Sequence, residues 1–185
     1  MSQPSTSHLT WLWGAHAVRL TGALQAIQAQ QIYFLADQPP PMQAPQLVVL
    51  SSEPAEADQL TALNPLLLGK DFEQQSLKMI DWIQRAIRLM RKTSGQHKGT
   101  IVVLAAEQPD TPQINQVLTL TRHAGISNLM QSLAREWGKR GIHIVYLPIV
   151  AGTDPQALAQ LCWQLHQQPI SSWSYQPQLL HPLGS

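Results

Sequence analysis

The side chains that could do chemistry in this sequence are few and far apart. Arg122 and His123 stand at the head of a helical pattern, where Arg122 carries a positive charge that could as easily be a surface group. Gly14 and His16 follow the first apolar run. A glycine between a strand and a helix lets a phosphate approach the backbone, but one glycine in a shortened loop is a weak cradle, and His16 fills space a phosphate would want. Ser51 and Ser52 end another apolar run and could supply a nucleophile. No glycine-flanked elbow surrounds them and no histidine partner can be named, so loop serines are expected. Seven histidines, His8, His16, His97, His123, His143, His166 and His181, are scattered, and they are read as showing neither the i, i+4 nor the close Cys/His spacing of a metal site. No metal site is expected from that spacing. The single cysteine, Cys162, can form no internal disulfide and is expected as a small buried hydrophobe.

Short apolar runs bounded by turn residues must position these groups: Leu9 to Trp13, Ile32 to Ala36, Leu47 to Leu50, Ile101 to Ala105 and Ile142 to Leu147. Helical patterns separate most of them, and that alternation predicts an α/β fold with a parallel sheet. A helix over about Phe72 to Lys92 carries Ile80, Ile83, Ile87 and Met90 on one stripe, with Leu77, Trp82 and Leu89 elsewhere. It opens with Asp71 and Glu73 and closes with Arg88, Arg91 and Lys92, the charge order that suits the macrodipole. A second, about His123 to Gly138, repeats Ile126, Leu129, Met130, Leu133 and Trp137 at helical spacing. A third starts at Asp154-Pro155, a cap followed by proline at the first helical position. Ser51 to Asn64 reads as loop, and Gln38 to Pro45 as a stiff connector where a complete nucleotide fold needs a further βα unit. The six tryptophans are expected as core or interface anchors, and Trp173 with Tyr175 suggests that part of the tail packs.

With 185 residues, 44% of them apolar, the chain is the size of one domain, 1–185, whose ends at 1–8 and 178–185 are the segments open to flexibility. A net charge of +1 with 12% charged residues gives no basic field for nucleic acid. The same weak charge protects poorly against association. The start of the chain has neither the charge nor the apolar run of a signal peptide or membrane span, so a cytoplasmic protein is expected.

The stretch from Leu118 to Ile142, with Ala124-Gly125-Ile126 and Glu136-Trp137-Gly138, resembles the catalytic helix of the short-chain dehydrogenase/reductases. Gly99 to Ala106 looks like the strand that ends in that family's catalytic serine, and the specific likeness runs from Phe72 to Pro148. The resemblance implies a truncated Rossmann-like, doubly wound parallel sheet of about five or six strands. It also implies that the catalytic set is degenerate. Leu118 stands where the family has its proton-donating tyrosine, Arg122 where it has lysine, Ala106 where it has serine, and Gln75 where it has asparagine. Leucine has no proton to give. No catalytic residue is therefore expected, and Gly14 and His16 are read as vestiges of a cofactor loop, with NAD(P) not expected to bind.

Active members of that family pair subunits through the two helices resembled here, forming a four-helix bundle. The candidate interface is accordingly Ile80, Ile83, Ile87, Met90, Ile126, Leu129, Met130, Leu133 and Trp137. Both helices could instead be core elements covered by the chain's own loops. The short first half, together with Ser132 to Glu136 and Asp154 to Ala159, is similar to the non-catalytic structural subdomain of polyketide and fatty-acid ketoreductases. That likeness implies a pseudo-ketoreductase that pairs with itself or with an active ketoreductase, in a system that could use acyl carrier protein. The competing readings are an NAD(P)-dependent oxidoreductase with an atypical site and a small-ligand or acyl-chain binding module.

Overall fold

All five apolar runs form strands of one parallel sheet. In the computed structural model they are β1 (Leu9–Trp13), β2 (Gln31–Phe34), β3 (Leu47–Ser51), β4 (Gly99–Ala105) and β5 (Ile142–Pro148), in the order β2-β1-β3-β4-β5. The structure describes residues 8–27, 31–35, 42–52, 64–105, 117–149 and 152–173. Apart from His8, the terminal segments 1–8 and 178–185 lie outside these residues, as do Ala106 and Tyr175.

Every residue of β3 and β4 is buried, which is why these strands read as unbroken apolar runs instead of alternating ones. Alternate residues serve opposite faces. Trp11, Val48, Leu50, Ile101, Val103 and Ile144 pack under α4 (Lys78–Met90) and α5 (Val117–Gly138). Leu12, Leu47, Val49, Val102, Leu104 and Val145 pack under α1 (Ala15–Val18), α2 (Thr21–Ile27) and α6 (Pro155–Gln167). The sheet is thus doubly wound, with its switch point between β1 and β3. From the outer strand β2 the chain returns to β3 on the far side of β1, and the described residues of that crossover, 35 and 42–46, hold no helix or strand. β2 is left half covered, with Phe34 46% exposed.

Two helices begin earlier than the sequence pattern predicts. Asn64-Pro65 opens α3 (Pro65–Asp71) instead of closing a loop: Asn64 Oδ1 accepts from Leu66 N at 2.9 Å, and proline occupies the first helical position. α3 runs through a π-helical turn, Phe72–Leu77, into α4. α5 starts at Val117, ahead of Thr119 and Thr121, whose β-branched side chains weaken the helical signal. α6 follows its signal: Asp154 accepts from Gln156 N at 3.2 Å and Ala157 N at 3.1 Å. Among the described residues no helix is long and apolar enough to cross a membrane.

Candidate functional site

Open α/β sheets bind ligands at the carboxyl ends of the strands beside the switch point, here the ends of β1 and β3. Gly14 turns the chain out of β1 with φ +89°, and a Cβ at that position would run into the carbonyl and hydroxyl of Ser51. Ser51 is not a loop serine. It is the last residue of β3, fully buried, and its hydroxyl accepts from Ala17 N at 3.3 Å and donates to the Trp13 carbonyl at 3.5 Å. The first free amides of α1 are where a pyrophosphate sits in a dinucleotide fold. Here a serine of the chain holds one of them. His16 is half-buried in the last turn of this four-residue helix.

Arg122 is not a surface cation either. It is 6% exposed, and one terminal nitrogen donates to both carboxylate oxygens of Asp71, at 2.6 and 2.7 Å. The pair ties α5 to the end of α3, which gives α5 a reason to extend back past its weak threonine turn. Leu118, one turn earlier, is half-buried. Gln75 lies half-buried in the π turn. Leu118, Arg122, Asp71, Phe72, Ile80 and Leu129 line a cleft of about 570 Å³ between α3, α4 and α5. Ser76 also lines it, with a buried hydroxyl that makes no hydrogen bond among the described residues.

A tyrosine does lie nearby, on a strand. Tyr146 of β5 and His123 Nδ1 share a hydrogen bond of 2.8 Å, and both residues are buried. Burial pushes the Tyr146 phenol up to about 12, the direction opposite to what a proton donor working near neutral pH needs. The pair closes the core between α5 and β5.

The amino end of the sheet is organised differently. Four of the seven scattered histidines converge there from four segments: His8 before β1, His97 before β4, His143 in β5 and His166 in α6. The Thr100 hydroxyl lies 3.1 Å from His97 Nε2 and 3.2 Å from His166 Nδ1, and its single hydrogen can serve only one ring, so the other ring must donate to it. His143 Nδ1 donates to the Leu165 carbonyl at 3.0 Å, and its ring stacks on Trp173 with centroids 4.6 Å apart. Burial, then the charges its three histidine neighbours would carry, lowers His166 to about 3. Burial likewise lowers His97. Cys162 stands one turn before His166 on α6, which corrects the reading that no close Cys/His spacing is present. Its thiol is fully buried, which raises its pKa to about 12. Among the described residues no three His, Cys, Asp or Glu side chains are grouped to hold a metal ion.

The nine candidate interface residues divide between two surfaces. Ile83, Met90 and Met130 are at most 1% exposed, and Ile87 and Ile126 are nearly as buried, all within the core over the sheet. A single apolar stripe could not distinguish inward from outward positions on helices that are apolar on more than one face. Ile80, Leu129, Leu133 and Trp137 keep accessible surface, and with the outer edges of Ile83 and Ile87 they line an open groove between α4 and α5. The groove continues into the cleft beside Leu118 through Ile80 and Leu129.

No family model matches the chain, and no curated protein does. Solved structures do. A short-chain dehydrogenase from Rhodopseudomonas palustris superposes with a TM-score of 0.78 at 15% identity, covering 96% of this chain and 100% of the other. A metagenomic short-chain oxidoreductase in complex with NADP gives a TM-score of 0.75 at 13% identity, with 95% of this chain and 98% of that chain covered. A short-chain dehydrogenase/reductase family oxidoreductase from Brucella ovis, in complex with partially ordered NAD, gives 0.70 at 10% identity, with 92% and 97% covered. At such identities the likeness is one of architecture: this chain has the fold of the short-chain dehydrogenase/reductases.

Proposed function

We propose that the chain is a pseudo-ketoreductase, a reductase fold kept for association, which pairs through α4 and α5 with a second reductase fold, its own copy or an active ketoreductase, in acyl or polyketide metabolism in the cytoplasm. The observation that carries this reading is the Arg122–Asp71 pair. In the family resembled, the cation at this helix position lowers a phenol's pKa and holds the cofactor ribose. Here its charge is neutralised by a carboxylate of its own chain, and the phenol's place belongs to Leu118. The residues at the end of β1 fit a dinucleotide poorly: Ser51 already bonds the Ala17 amide, and the turn has a single glycine, Gly14, which presses against Ser51. We accordingly propose no nicotinamide cofactor and no reductase step. Association is supported by the accessible apolar groove of Ile80, Leu129, Leu133 and Trp137, a surface that water disfavours and a partner helix pair would cover.

Sedimentation velocity on the full chain tests the proposal. The expected result is a dimer, or a monomer that forms a complex with a co-encoded ketoreductase, and Ile80→Asp or Leu133→Asp is expected to abolish either while leaving the far-UV spectrum intact. A wild-type monomer that binds no ketoreductase would overturn the association, and a micromolar fluorescence or thermal response to NADPH would overturn the loss of cofactor. A second reading has its own observation, the buried hydroxyl of Ser76, without a hydrogen-bond partner among the described residues, beside the apolar cleft of about 570 Å³. It is an acyl-chain site, and native mass spectrometry of the purified protein would show a lipid-sized adduct.

A further inference from the structure

We propose that the basin where α4 and α5 end is a docking site for an acidic polypeptide segment. Arg91, Lys92, Lys98, Lys139 and Arg140 line it, five of the chain's twelve Lys and Arg residues, and among the described residues no acidic one does. All but Lys98 are exposed.

Helix carboxyl ends attract cations, so part of this charge has a local purpose. The amount decides the matter. Two helix ends amount together to about one negative elementary charge, confined to their last turns. Glu136 adds another, 3.8 Å from Arg140. Against five cations, these leave about three positive charges without compensation. In a chain whose net charge is +1, that excess is a local feature of one end of the molecule.

The basin is also built before any partner arrives. Lys98 N donates to the Gly141 carbonyl at 2.7 Å, and a Cβ on Gly141, whose φ is +87°, would strike the Gln96 carbonyl. The loop before β4 is therefore pressed against the turn before β5, and a surface held in its binding shape loses less entropy when it binds. Trp137 and Ile170 supply apolar lining, with the Arg140 guanidinium 4.6 Å from the Trp137 ring centre.

The shape selects the class of ligand. The five cations line a basin of about 770 Å³, far more room than one phosphate group fills. A polypeptide with carboxylates along one face reaches several of them and sets its apolar side chains on Trp137 and Ile170. Nucleic acid would need a longer basic track than one basin offers.

The test is fluorescence anisotropy of a labelled oligoglutamate peptide with the full-length protein at low ionic strength. The expected result is saturable binding that salt weakens. Lys92→Glu with Lys139→Glu should lower the affinity by about tenfold or more, while Lys70→Glu with Lys78→Glu, far from the basin, should change it by less than about twofold. If the first pair does not fold by far-UV spectrum, Arg91→Gln with Arg140→Gln takes its place. No binding, an equal loss in the distant pair, or tighter binding of a single-stranded oligonucleotide of the same charge would each overturn the proposal. Trp137 and Arg91 line both the basin and the groove between α4 and α5, whereas Lys92 and Lys139 line the basin and not the groove. Sedimentation of the Lys92→Glu, Lys139→Glu protein therefore separates the two: lost peptide binding with an unchanged oligomeric state, or the reverse, distinguishes failure here from failure of the proposed association.

Discussion

At the carboxyl end of the sheet, Ser51 and Arg122 are engaged by their own chain, whereas at the amino end titratable groups are gathered and left able to respond. Ser51 caps α1, and Asp71 neutralises Arg122. At the other end four histidines share one threonine and two tryptophans, and five cations rim a basin with no acid among its lining residues. Chemistry in doubly wound folds belongs to the first end. In this chain the first end is built like a core, and the second carries the charge and the titratable groups.

The strongest way to break that comparison is to open the carboxyl end. Removing one member of a buried ion pair leaves the other charge uncompensated, and Asp71→Ala should cost about 3 kcal/mol, the lower part of the usual range because the Asp71 side chain is 23% exposed. Asp71→Leu combined with Arg122→Met should cost clearly less than Asp71→Ala alone, since no charge is then stranded. Urea unfolding measures both. A single-variant loss below about 1 kcal/mol would mean that the pair is solvated like a surface bridge, and the contrast between the two ends would fail at its first term.

The amino end answers to acid. Folding lowers His166 from 6.5 to about 3, so the folded state favours the neutral ring. The resulting stability is complete above the unfolded value of 6.5 and is lost as pH falls toward about 3. Between about pH 6.5 and about pH 5 the loss should be about 2 kcal/mol. Among the described residues the groups facing His166 are His8, His97, His143, Thr100 and Trp163, and none of them is a carboxylate that offsets the sign. Carboxylates elsewhere titrate equally in wild type and in His166→Gln, and the difference between their urea midpoints across this range isolates the ring. Equal slopes in the two proteins would show that the cluster is wet and that His166 ionises freely.

These two regions also differ in how far the sequence discloses them. The strands were legible because each is a short apolar run closed by turn residues, and burial on both faces keeps such runs unbroken. The proposed loss of the catalytic set was read as an absence, from Leu118 and Arg122 in one helix. Its physical content was not legible: Asp71 lies 51 residues before Arg122, and Ser51 lies 34 residues after the amide it caps. The histidine cluster was the most hidden. Its members come from β5, α6 and the segments before β1 and β4, and what joins them is that parallel strands all begin at the same end of a sheet. Spacing along the chain reports partners within one helix or hairpin, while a parallel sheet brings together residues a whole βα unit apart.

The smallest predicted effect bears on the proposed loss of cofactor binding at the end of β1. Ser51→Ala removes the acceptor of the Ala17 amide, and loss of such a cap should cost about 1 kcal/mol in urea unfolding. The size of that loss matters less than the variant's response to NADPH. Gly14, at φ +89° and pressed on the backbone as well as the hydroxyl of Ser51, stays where it is in the variant, because only the hydroxyl has gone. The amide is freed, but the loop gains no second glycine and the helix it opens is still four residues long. Thermal midpoints of both proteins should therefore be unmoved by NADPH. A shift in Ser51→Ala alone would mean that one hydroxyl had closed an otherwise intact cradle, and that the carboxyl end lies a single substitution away from binding the cofactor.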